Sequence, residues 1–102
     1  MYLNQSEWYA STSSMKFFYV YILHNPQKKF VYAGYSEDLK TRIIAHNNGE
    51  VTSTKAYRPL NLIHYEAYRI MKDAKRREDY FKPTKGKVTL KMMLKEYFSA
   101  KE

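Results

Sequence analysis

Residues 17–23, Phe-Phe-Tyr-Val-Tyr-Ile-Leu, form an unbroken run of aromatic and β-branched side chains. No alternation breaks the run, so it reads as a strand covered on both faces. Such a strand belongs inside a sheet, with other elements packed above and below it. His24-Asn25-Pro26-Gln27-Lys28-Lys29 follows with turn chemistry, and then a second apolar segment, Phe30-Val31-Tyr32-Ala33, which stops at Gly34. The two segments are expected to pair as an antiparallel hairpin. With the turn centred on Pro26 and Gln27, Tyr21 lies opposite Tyr32 and both rings share one face.

The remainder of the chain supplies the cover. Ser36 is suited to cap a helix, with Glu37 and Asp38 in its first turn where the helix dipole favours negative charge. That helix is expected to reach about Asn48 and to stop at Gly49. A polar loop, EVTSTKAYRP, leads to a third strand near Leu60–Ala67. A second helix is expected over about Met71–Lys82, ending before Pro83. Lys85-Gly86-Lys87 punctuates a turn into a last helix over about Val88–Phe98. The order is ββαβαα: an α+β fold with a small, mostly antiparallel three-stranded sheet flanked by helices.

The chain has 102 residues, room for one domain. Residues 1–14, MYLNQSEWYASTSS, are polar and without period, and read as a disordered leader. Residues 15–102 then form the folded domain. The leader lacks the charged start and apolar core of a signal peptide, and the run at 17–23 is far short of a membrane span. There is no cysteine, which excludes disulfides and thiolate metal sites and fits a cytoplasmic protein without a membrane partner.

Charge narrows the function classes further. Eighteen Lys and Arg against ten Asp and Glu give a net charge of +8. The excess is concentrated: Arg69–Lys95 holds ten bases against Asp73, Glu78 and Asp79. A field of that sign on a small domain attracts polyanions, and DNA, or RNA, is the expected partner.

Three polar residues fall where a helix should be apolar. Successive helical residues are 100° apart, so Leu39, Arg42, Ile43 and His46 share an arc of about 100°. Arg42 and His46 thus lie at or beside a buried stripe. Taken singly, Arg42 has a plain reading as a snorkelling side chain and His46 as a satisfied core histidine. In the second helix Met71, Ala74, Glu78 and Phe81 share one arc, while Lys75, Arg76 and Asp79 point elsewhere. A carboxylate among apolar neighbours needs a cation, either a neighbouring Arg or a bound metal such as Mg²⁺. Two facing tyrosines, an inward Arg and His, and an inward carboxylate together suit phosphodiester cleavage. That reaction needs a cation on the phosphate, an activated water and a metal near the leaving oxygen.

In this pattern the sequence resembles the GIY-YIG nuclease family. Its first motif stands as Tyr19-Val20-Tyr21 and its second as Tyr32-Ala33-Gly34; Arg42 follows ten residues after Tyr32, and His46 four later. Glu78 stands in Ala74-Lys75-Arg76-Arg77-Glu78, where the family carries its metal-binding glutamate. The stretches HNNGEVTSTKAYRPLNLIHYEAY and AKRREDYFKPTKGK are similar to the short, single-domain bacterial members that resemble the nuclease domain of the bacterial repair excinuclease. The resemblance covers about residues 16–95. Tyr19, Val20 and Ala33 depart from the motif letters at positions that mainly pack, and Asp79–Glu102 lacks an asparagine that members often carry.

The resemblance implies a metal-dependent endonuclease using one Mg²⁺ or Mn²⁺. Its products would be a 5′-phosphate and a 3′-hydroxyl, in DNA repair or the processing of structured DNA. Carried over by position, Glu78 would hold the metal and Arg42 the scissile phosphate. Tyr21 would activate water, with Tyr32 and His46 in the proton network, and Gly34 would permit close approach of the backbone. Thr52, Lys55, Lys82, Lys85 and Lys87 are candidate nucleic-acid contacts. The alternative is a catalytically inactive DNA- or RNA-binding module on the same fold.

Overall fold

The computed structural model describes residue 4 and residues 15–100. Apart from Asn4, the expected leader over residues 1–14 lies outside the described residues. The elements are β1 (Phe18–Asn25), β2 (Phe30–Ser36), α1 (Leu39–Asn47), a short 3₁₀ turn (Lys55–Tyr57) and β3 (Asn61–Tyr68). Three helices follow: α2 (Met71–Phe81), α3 (Thr84–Met93) and α4 (Lys95–Ser99). The sheet has three antiparallel strands in the order β2-β1-β3.

β1 is central and buried on both faces, as its composition requires. On one side Val20 and Ile22, with Ala33 of β2, pack against Ala74 and Phe81 of α2 and Leu90 of α3. On the other, Tyr21 and Leu23 pack with Leu60 and are bordered by Tyr32, Leu39 and Ile43. Phe81 has no exposed surface, and burying such a ring stabilises the fold by about 1.5–3 kcal/mol. Among the described residues no helix is long and apolar enough to cross a membrane.

The hairpin register differs from expectation by two residues. Tyr21 pairs with Gly34, and Tyr32 with Leu23. The turn spans Pro26–Lys29: the Lys29 amide donates to the Pro26 carbonyl, the Lys28 amide to Asn25 Oδ1, and Lys29 adopts φ 51°. A two-residue shift preserves which face each side chain occupies. Tyr21 and Tyr32 therefore still share a face, as diagonal neighbours with ring centres 6.4 Å apart. β2 does not stop at Gly34 but continues to Ser36.

α1 begins later than expected. Asp38, not Ser36, caps it, its carboxylate accepting the Thr41 amide at 3.2 Å. Ser36 closes the connection instead, its Oγ accepting the Asp38 amide. The helix end is as expected: Gly49 has φ +77°, its amide donates to the His46 carbonyl, and the Glu50 amide donates to Ala45. In α2, Met71 is 45% exposed, because core packing starts a turn later at Ala74.

The last helical region is two helices, separated at Leu94. Gly86 lies inside α3 and not in a turn, because α3 crosses the end of α2 closely there. A Cβ at Gly86 would overlap the Tyr80 carbonyl oxygen and come within 2.7 Å of Phe81 Cα. Glu66 of β3 ties the sheet to α2. It accepts Arg77 Nε at 2.8 Å and Nη2 at 3.2 Å, with Tyr68 and His64 also bonded to it.

Candidate active site

α1 runs beside the sheet face that carries Tyr21, and its inward arc is the expected one. Leu39, Arg42 and Ile43 are half-buried and His46 is fully buried. His46 Nε2 lies 2.7 Å from the Tyr21 hydroxyl and His46 Nδ1 lies 2.7 Å from Thr54 Oγ1. Arg42 Nε donates to the same Tyr21 oxygen at 3.4 Å, and Thr54 Oγ1 donates to the Val51 carbonyl at 3.4 Å. One assignment satisfies all four contacts. Thr54 donates to Val51, His46 Nδ1–H donates to Thr54, and Tyr21 O–H donates to His46 Nε2. Arg42 donates into the remaining lone pair of Tyr21.

The electrostatics fit that line. Burial, helped by the Arg42 charge, lowers the His46 pKa to about 4, so the ring is neutral at pH 7. Burial pushes the Tyr21 phenol up, against the Arg42 hydrogen bond, and the charge of Glu78 adds to the rise. Glu78 lies on α2, joined through Lys82 to the part of β2 that carries Tyr32 and Ala33. Its side chain is 12% exposed, on the inward side of α2. Its cations are lysines, not the neighbouring arginines: Lys75 Nζ is 3.6 Å from one oxygen and Lys82 Nζ 3.4 Å from the other. Lys82 also donates to the Ala33 carbonyl at 3.1 Å and lies 5.3 Å from the Tyr32 ring centre.

Gly34 sits against Tyr21, opposite it in the ladder. A Cβ there would overlap the Tyr21 hydroxyl end, so the glycine makes room for that ring. Thr52 and Lys55 are exposed in the loop after α1, and Lys85 is exposed on α3. Lys87 is differently placed. Its ammonium donates to the Phe81 and Lys82 carbonyls at 3.1 and 2.7 Å, capping α2. Burial and the charge of Lys82 lower its pKa. Thr54 belongs to the Thr52–Lys55 loop expected to contact phosphate, and what sequence reasoning missed is its place as the partner of His46. Thr54 is fully buried between exposed neighbours, and no periodicity in a loop marks which hydroxyl turns inward.

Residues 17–92 match the GIY-YIG catalytic domain, and the chain belongs to that family. Its catalytic domain is of the nuclease type, and the chain is similar to short bacterial members of the family. A UPF0213 protein of Staphylococcus epidermidis is 38% identical over 64 residues, 62% of this chain and 78% of its own. One from Pediococcus acidilactici is 34% identical over 79 residues, covering 74% of this chain and 80% of its own. One from Lactiplantibacillus plantarum is 31% identical over 87 residues, covering 82% and 85%. No solved structure matches.

Members of this family use a divalent metal, and the donor set limits which kind fits here. Among the described residues no group of three or more His, Cys, Asp or Glu is placed to hold an ion. A caged site of the zinc type is therefore not built from them. A single inward carboxylate suits Mg²⁺ or Mn²⁺, which keep several waters and complete their shell with substrate phosphate oxygens. Glu78 is the residue that would hold such an ion.

Proposed function

We propose that this chain is a metal-dependent endonuclease that hydrolyses DNA phosphodiester bonds, leaving 5′-phosphate and 3′-hydroxyl ends. The proposed setting is cytoplasmic DNA repair or the processing of structured DNA. The observation that carries this reading is the line Arg42–Tyr21–His46–Thr54, with the inward carboxylate of Glu78 held next to β2 through Lys82.

Arg42 is half-buried and presents a planar cation suited to two phosphate oxygens. Its bond to Tyr21, at 3.4 Å, is longer than either bond to His46 and is the one a phosphate would compete for. Tyr21 is fully buried, so drawing Arg42 away opens its hydroxyl to the attacking water. As the water proton moves to the Tyr21 oxygen, the phenolic proton passes to His46 Nε2. Arg42 lowers the basicity of His46, and a phosphate that offsets this charge raises it as substrate arrives. Thr54 holds the ring so that Nε2 keeps its lone pair toward Tyr21, and Tyr32 walls the site. The metal, held by Glu78, would stabilise charge on the leaving oxygen. Exposed Thr52, Lys55 and Lys85 would carry the flanking phosphates.

Plain, nicked, branched and single-stranded DNAs incubated with Mg²⁺, Mn²⁺ or EDTA test this. Cleavage should require metal and vanish in Glu78→Ala, while DNA affinity at low salt stays close to wild type. Unchanged cleavage in that variant removes Glu78 from the metal site. The second reading, a non-catalytic binding module, has one observation in its favour: two lysines already neutralise Glu78. Tight, salt-sensitive binding without cleavage under any metal would establish it.

A further inference from the structure

Each Glu78 oxygen faces a different lysine, and the two lysines occupy different surroundings. Lys75 lies over the Tyr35 ring, 4.6 Å from its centre, and approaches Oε1 at 3.6 Å. Lys82 approaches Oε2 at 3.4 Å while donating to the Ala33 carbonyl at 3.1 Å and covering the Tyr32 ring. A carboxylate, a carbonyl oxygen and an aromatic face thus converge on one ammonium. These are groups that attract a cation, and they face the side of Glu78 nearest Tyr32 and Ala33.

We propose that Lys82 is a tethered counter-ion that occupies the approach to Glu78 and sets the metal affinity of the site. This rests on Glu78 being the metal ligand. A divalent ion on Oε2 cannot share that oxygen with an ammonium without strong like-charge repulsion, so metal entry displaces Lys82. The side chain is 46% exposed, and its flexible stem lets the head turn outward to the phosphate backbone. Lys82 is therefore a positioning residue: before metal arrives it fixes Glu78 against β2, and afterwards its charge is available to substrate. The site is consequently weak for metal alone and strengthens when nucleic acid takes up the lysine.

Mn²⁺ titration followed by electron paramagnetic resonance, without nucleic acid, measures this independently of cleavage. Lys82→Gln should tighten Mn²⁺ binding about three- to tenfold. Lys82→Arg, which keeps the charge, should stay near wild type, and Lys75→Gln should change affinity less than Lys82→Gln. Adding Glu78→Gln to any of these should remove the binding. Affinity in Lys82→Gln equal to or below wild type, with binding still dependent on Glu78, overturns the role of Lys82 alone. Binding independent of Glu78, or absent throughout, overturns both this inference and the assignment of Glu78. Binding seen only in Lys82→Gln and lost with Glu78→Gln supports both.

Discussion

Two hydroxyls, Tyr21 on one ring nitrogen and Thr54 on the other, hold His46 at 2.7 Å each, and no surface of the ring is exposed. Protonating it would break the acceptor bond to Tyr21 and place a charge beside Arg42. With a folded pKa of about 4 against 6.5 in the unfolded chain, the unfolded state binds more protons between those values. Stability should therefore fall as pH drops through this window, by on the order of 3 kcal/mol in all. Glu66 acts in a lower window. Burial opposes its ionisation, but bonds from Arg77, His64 and Tyr68 prevail and hold its pKa at about 2. Its contribution is present above pH 4.5 and is lost only below that. Urea unfolding at pH 7, 5.5 and 4.5 should show the His46 slope, and His46→Gln should flatten it. An equal slope in the variant would assign the effect elsewhere. The inward placing of Arg42 and His46 was legible from helical spacing, whereas that of Thr54 was not, because a loop offers no period.

Element boundaries followed the sequence where a backbone requirement is local and departed from it where a tertiary contact decides. Gly49 was legible as a stop because a positive φ after a helix favours glycine. Gly86 was misread as a turn because the neighbour that decides it is on another helix, and the strand end set at Gly34 was misread because β2 runs on to Ser36. At Gly34 an added Cβ meets the end of the Tyr21 side chain, which can move. At Gly86 it meets the backbone of α2, which cannot move without parting the helices. Gly86→Ala should accordingly cost about 3 kcal/mol or more with little specific effect on chemistry. Gly34→Ala should cost about 1–3 kcal/mol, while moving the Tyr21 hydroxyl off His46 and Arg42. Denaturation midpoints beside single-turnover cleavage separate the two, since only Gly34→Ala should lose more activity than its stability loss explains. Cleavage near wild type in folded Gly34→Ala would mean the Tyr21 position is not critical. The hairpin register belongs with these misread features. The four-residue turn rests on Asn25 and a left-handed Lys29, and turn centring from Pro26 alone could not supply it.

At the scale of the whole molecule, net charge is legible from composition, but composition does not say which lysines reach solvent with their charge available. Lys85 and Lys87 are two residues apart on α3 and looked equivalent as phosphate contacts. Lys85 is exposed, while Lys87 is half-buried with its ammonium on the final carbonyls of α2. A lysine that neutralises a phosphate releases a counter-ion, so each such contact adds nearly one unit to the slope of log affinity against log salt on duplex DNA. Lys85→Ala should therefore reduce the magnitude of that slope by about one unit and leave stability within about 0.5 kcal/mol. Lys87→Ala should do the reverse, leaving the slope unchanged and costing about 1–2 kcal/mol through two lost charge-assisted bonds. Binding isotherms at several salt concentrations, with unfolding curves on the same preparations, measure both quantities. A salt slope reduced as much by Lys87→Ala as by Lys85→Ala would mean that substrate draws Lys87 off the helix end. The positive surface of this domain would then be assembled during binding and not before it.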